Sequence, residues 1–178
     1  DGTTGTLASL SSTAPTLPTG YTFKARIGAV RTIAASATLY GTWQFGRRAQ
    51  YVVGLAQTSI IPNIANGVAG TFSAASPTLT TASVGAFVPS TASTIILVGT
   101  TSYNNSGPSS VLVAPNTSWG GATRGPDGAA NNGWPLYLNG AVGVATQRVE
   151  LLLVATTVAW ASGGAGGAIS ALGWEDNL

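Results

Sequence analysis

The chain has 178 residues, 44% of them hydrophobic and only 7% charged, with seven basic and five acidic side chains giving a net charge of +2; an ordinary soluble protein is about 25% charged. Cysteine, methionine and histidine are absent, which removes disulfides, thiolate chemistry, zinc fingers, iron–sulfur clusters and any histidine-based triad. High hydrophobicity with little net charge is the opposite of a disordered chain, no apolar run approaches the about 18 residues of a spanning helix, and the glycines lack collagen's three-residue period.

No helical period outlasts two turns, whereas short β-prone runs bounded by turn residues recur throughout, so the fold class read from the sequence is all-β. Tyr21, Phe23, Ala25, Ile27 and Ala29 alternate with Thr22, Lys24, Arg26 and Gly28, the pattern of a half-buried strand with its cations outward. Ala34-Ala35-Ser36-Ala37 closes a hairpin onto a second run, with Leu39, Gly41, Trp43 and Phe45 on one side and Tyr40, Thr42 and Gln44 on the other. After the Gly46-Arg47-Arg48 break a strand continues over residues 49–55, and residues 58–61 form another, ended by Pro62. Residues 80–88 and 94–101 read as a pair, the second dense in Ile and Val and therefore central. Asn104-Asn105-Ser106-Gly107-Pro108 is a turn, from which residues 110–113 return. Residues 147–155 are the most apolar strand, with Arg148 and Glu150 on one face, and the glycine-rich run 163–167 links into a last strand at 168–174. Trp43, Trp160 and Trp174 fall within strands, as core or interface residues.

One long segment, residues 115–135, has no periodicity, which in a compact domain marks a functional or disordered loop. Trp119, Trp134 and Tyr137 offer flat faces for sugar rings, with Arg124, Asp127, Asn131 and Asn132 as hydrogen-bonding groups for hydroxyls. Beside that stands the alternative that both tryptophans anchor the loop on the sandwich or fill a subunit interface.

Lys24, Arg26, Arg31, Arg47 and Arg48 lie close in sequence, and no acid falls between Asp1 and Asp127. This suggests a basic face for an anionic partner, such as a bacterial surface polysaccharide or a neighbouring subunit, or else a merely solvated strand face. A net charge of +2 is too small for tracking nucleic-acid phosphates. So sparse a charge suits a surface covered by copies of the chain or by neighbours in an assembly. Of the acids after Asp1, Glu150 sits beside Arg148, Asp127 lies in a glycine-rich turn, and Glu175 and Asp176 are near the end. None of these makes the facing carboxylate pair of a glycosidase, and the expectation is a protein without enzymatic activity. The glycine run lacks the Lys-Ser/Thr ending of a phosphate loop and no oxygen-ligand cluster suggests calcium, so neither cofactor nor metal is expected.

Ser12-Thr13-Ala14-Pro15-Thr16-Leu17-Pro18-Thr19-Gly20-Tyr21-Thr22 leads into Arg26-Ile27-Gly28-Ala29-Val30-Arg31-Thr32, and the chain closes on Ile169-Ser170-Ala171-Leu172-Gly173-Trp174. These stretches resemble a family of tail-fibre-like phage and prophage virion proteins that share a TAPTLPxGYTxxxRIGxxRT opening and a terminal ATLGW strand. Members have an Asp/Gly/Ser/Asn turn after the Arg-Thr, where this chain has Ile33-Ala34-Ala35-Ser36-Ala37, which leaves the hairpin type open. Members also carry a strand with a Trp-Tyr pair before the opening. Because the chain starts at Asp1 without it, the expectation is a C-terminal part of a longer virion protein. Taken together, residues 1–178 are expected to form a single antiparallel β-sandwich, jelly-roll-like, in a homotrimer. The resemblance implies a virion fibre or spike, which would contact a host-surface glycan through the 115–137 loop. The alternative is a capsid decoration or fibre-base module that binds only other virion proteins. Neither nucleic acid nor membrane is an expected partner.

Overall fold

A computed structural model describes residues 4–9, 11, 14–32, 39–52, 61–73, 76–102, 109–120, 122–124, 130–140 and 144–177, with the backbone path alone at 122–124, 130–132 and 139–140. The described strands are β1 Thr42–Phe45, β2 Arg48–Tyr51, β3 Asn63–Asn66, β4 Thr80–Ser83, β5 Ala92–Thr101, β6 Ser109–Ala114, β7 Ala122–Arg124, β8 Ala130–Asn132, β9 Leu136–Gly140, β10 Ala145–Leu152, β11 Thr157–Ser162 and β12 Ala168–Asp176. One sheet runs β1-β2-β12-β5-β10 with β3 also on β12, a second runs β4-β11-β6-β9, and β7 and β8 form a separate hairpin. Every pairing is antiparallel.

β2 and β3 lie end to end on one edge of β12, Ala49 opposite Trp174 and Ala65 opposite Ile169, so together they fill a single strand position. From there the chain crosses to β4, back to β5, and over to β6 with β9 beside it. It then returns through β10, β11 and β12. Sheets of order β2/β3-β12-β5-β10 and β4-β11-β6-β9, filled by alternate crossing, are those of a jelly roll. The fold is therefore an all-β antiparallel sandwich, as the sequence indicates.

Between the sheets the larger one contributes Tyr51, Ile95, Leu97, Ile169, Ala171 and Trp174, and the smaller one Val111, Val113, Leu136, Val158 and Trp160. Burying each of the larger side chains contributes about 1.5–3 kcal/mol. Tyr40, Tyr51 and Trp174 stack edge to face at 5.6 and 5.5 Å, an arrangement favoured by the aromatic quadrupole. β6 is buried at every residue because the smaller sheet is covered on its outer face too: Leu112, Ala114, Ala159 and Trp134 pack there against Phe72, Leu79 and Tyr137.

Several elements differ from the sequence expectation. Residues 80–88 and 94–101 are not partners: β4 belongs to the smaller sheet and β5 to the larger, because the jelly roll sends successive strands to opposite sheets. β5 is central as expected, between β12 and β10. β3 begins after Pro62, not before it, since proline cannot donate to a ladder but can precede a strand; the expected strand at 58–61 lies mostly outside the described residues, as do the turns at 34–37 and 104–108. The flanks of the first turn do meet, with Thr32 bridged to Leu39 and Tyr40 N donating to Arg31 O at 2.8 Å. Residues 21–30 form no ladder and the expected faces hold only in part: Phe23 and Ile27 are 91% and 82% exposed and Arg26 turns towards β12, while Ala29 packs inward. Within 115–135 the chain holds the β7–β8 hairpin, whose polar composition hides it from a hydrophobicity pattern. β1 and β2 are joined by Gly46 and Arg47, with φ +57° at Gly46 and no positive φ at a described non-glycine residue. That combination is a type II′ turn with glycine at its first central position.

Candidate functional site

An arm, residues 14–32, runs along one edge of the sandwich and is fastened by side chains remote in sequence. The Arg26 guanidinium lies 2.6 Å from Asp176 Oδ2 and 3.0 Å from Oδ1, and also donates to Thr91 Oγ1. Asp176 is 1% exposed at the end of β12, where Arg47 Nε donates to its carbonyl at 2.8 Å. Gln44 Nε2 on β1 donates to Ile27 O at 2.8 Å. Ala29 packs on the main core.

The five cations of the expected basic face are dispersed by these contacts. Arg26 pairs with Asp176 and Arg47 holds the β12 end. Arg48 and Arg148 converge on Glu150 Oε1 at 2.6 and 2.8 Å. Arg31 sits between the rings of Tyr40 and Phe87, and Lys24 reaches Pro15 O at 3.4 Å. The Arg48–Glu150–Arg148 group spans the outer face of the larger sheet but is half exposed, so each pair there contributes at most about 1 kcal/mol.

Of the glycan candidates in 115–137, Trp134 is 7% exposed and Tyr137 packs on Phe72 at 5.3 Å, both in the cluster outside the smaller sheet. The Trp134 ring, so enclosed, has no face to stack on a sugar, and Tyr137 is half-buried. Trp119 is 40% exposed, its indole N–H donating to Gly133 O at 3.2 Å. Arg124 lies on β7 and Asn131 and Asn132 on β8, paired so that Asn131 faces Thr123. Asp127 lies outside the described residues.

The feature that sequence reading missed is the exposure of large apolar side chains on the arm and on β1. Phe23, Ile27 and Val30 of the arm and Trp43 and Phe45 of β1 are all exposed, Phe45 at 93%. β1 is also an edge strand, bonded only to β2 among the described strands. The parity of Trp43 and Phe45 was readable in the sequence, but not their exposure.

Tyr51 donates to Phe87 O at 2.6 Å. Burial pushes its phenol from 10.0 up to about 12, with the nearby Arg31 cation pulling the other way. The native phenol thus holds its proton more tightly than the unfolded one. Its contribution is complete below pH 10 and is lost as pH rises towards 12, by about 2–3 kcal/mol over that window. Urea midpoints of the wild type should fall through this range, and those of Tyr51→Phe should fall less.

Among the described residues no group of His, Cys, Asp and Glu could hold a metal ion, and no helix is long and apolar enough to cross a membrane. Fold and surface thus define a jelly-roll sandwich with a fastened arm and an apolar edge. No protein family model, no curated protein and no solved structure matches the chain.

Proposed function

We propose that this chain is a non-enzymatic structural module of a bacteriophage virion, belonging to a fibre or spike, and that it assembles with copies of itself and with other virion proteins through the surface of the arm and β1. Three copies are the expected assembly. The observation that carries the proposal is the kind of side chain left open: Phe23, Ile27 and Val30 of the arm and Trp43 and Phe45 of β1 are all exposed, and β1 is an edge strand bonded only to β2 among the described strands. Aromatic side chains such as Trp43 and Phe45 are the type that anchor protein interfaces. Trp43→Ser combined with Phe45→Ser is expected to lower the particle mass by light scattering while leaving the far-ultraviolet circular dichroism unchanged. An unchanged mass would count against this surface.

Contact with a host glycan is a second reading, favoured by the half-open Trp119 ring. With Trp134 and Tyr137 taken into the packing, Trp119→Ala alone tests it: loss of labelling of host cells by the folded protein supports glycan contact. Unchanged labelling, or none in the wild type, leaves the chain as a decoration or fibre-base module.

A further inference from the structure

We infer that the cleft between residues 29–32 of the arm and residues 85–89 is a binding site for a small carboxylate with an apolar body, held by Arg31. This inference is independent of the assembly proposal. The cleft has a volume of about 220 Å³ and is walled by Ala86, Phe87, Val88, Pro89 and Trp174 as well as by the arm. The size suits a single ring or a short branched chain, below the about 300–1,000 Å³ of pockets for larger ligands.

Arg31 is the one charged residue among the described residues that line this cleft. Its guanidinium carbon lies 4.6 Å from the Tyr40 ring centroid and 4.5 Å from that of Phe87, so two aromatic faces fix the plane of the group. Cation–π contacts of this kind contribute but do not neutralise the charge. Among the described residues no carboxylate pairs with Arg31, since Asp176 is taken by Arg26 and Glu150 by Arg48 and Arg148. Arg31 donates a hydrogen bond to the Tyr51 phenol oxygen, while its Nη1 is buried with no partner among the described residues. A half-buried cation beside mostly apolar side chains, with no counter-charge among the described residues, is costly, and an anion in the cleft relieves that cost. A planar guanidinium matches a carboxylate in two-point geometry. A phosphate would bring more charge than one arginine offsets, into a cleft where Thr32 is the one other polar side chain among the described lining residues.

The carboxylate has two sources, a free small molecule or an acidic side chain of a neighbouring copy. The test is a titration of the isotope-labelled protein with benzoate, followed by nuclear magnetic resonance, with benzamide as the neutral control. The expected result is saturable shifts at Ala29–Thr32, Gly85–Val88 and the Trp174 indole, absent with benzamide, and at least tenfold weaker benzoate binding in Arg31→Gln. Equal binding of benzamide, unimpaired binding by Arg31→Gln, or shifts confined elsewhere overturn the inference. Should Arg31→Gln not fold, the comparison of benzoate with benzamide in the wild type decides alone. Light scattering of the benzoate-saturated protein separates the sources: an unchanged mass assigns the cleft to a free ligand, and a fall in mass assigns it to a neighbour's carboxylate.

Discussion

Asp176→Ala is expected to destabilise the fold by about 3–5 kcal/mol, the cost of breaking a buried ion pair from one side. The carboxylate is 1% exposed and Arg26 19% exposed, so little water replaces the lost partner. The substitution strips Arg26 of both oxygens and Thr91 of its acceptor. Urea denaturation measures the loss, and proteolysis within residues 14–32 should quicken as the arm comes away. Glu150→Ala, which removes the shared acceptor of Arg48 and Arg148, is expected to cost under about 2 kcal/mol over the two pairs because that group is half exposed. Equal losses from the two substitutions would mean that the Arg26–Asp176 clamp is not buried as described.

Gly173→Ala is the second large effect. β12 shifts register between Ala171 and Gly173, and Gly173 lies opposite Gln50. A methyl group there would overlap the Ala49 carbonyl oxygen and approach the Gln50 Cα to 3.0 Å. The neighbour is backbone, so β2 itself must move off β12, carrying Ala49 and Tyr51 out of the core. Overpacking of this kind costs about 3 kcal/mol, a fall of about 6–12 °C in Tm for a chain this long. Gly120→Ala, where an added methyl meets nothing within 4 Å, should stay within about 0.5 kcal/mol of wild type. The glycine of the terminal ATLGW-like stretch thus has a physical role, to let two strands approach.

The strands that the sequence makes legible are those whose residues declare burial on one or both faces. β5 and β12 are clear because Ile95, Ile96 and Leu97, or Ile169, Ala171 and Trp174, can only be interior. What a pattern of neighbours cannot show is which sheet a strand joins, and so β4 and β5 read as a hairpin when the fold separates them. The arm misleads for a related reason. Alternation of Phe23 and Ile27 with Lys24 and Arg26 implies apolar side chains inside, but Arg26 has its partner 150 residues away, and that bond decides which face turns in. In the same way Trp134 and Tyr137 read as an open platform because the side chains that cover them, Phe72 and Leu79, stand far off in the chain. The exposure of Trp43 and Phe45 depends on what lies above β1, which no local pattern contains.

The most direct test of assembly through the arm and β1 is the solution mass of the chain by size-exclusion chromatography with light scattering. A stable multiple of 17.7 kDa, three copies being expected, is the predicted result. A well-behaved monomer across the accessible concentration range, with Trp43 and Phe45 open to solvent, would contradict it.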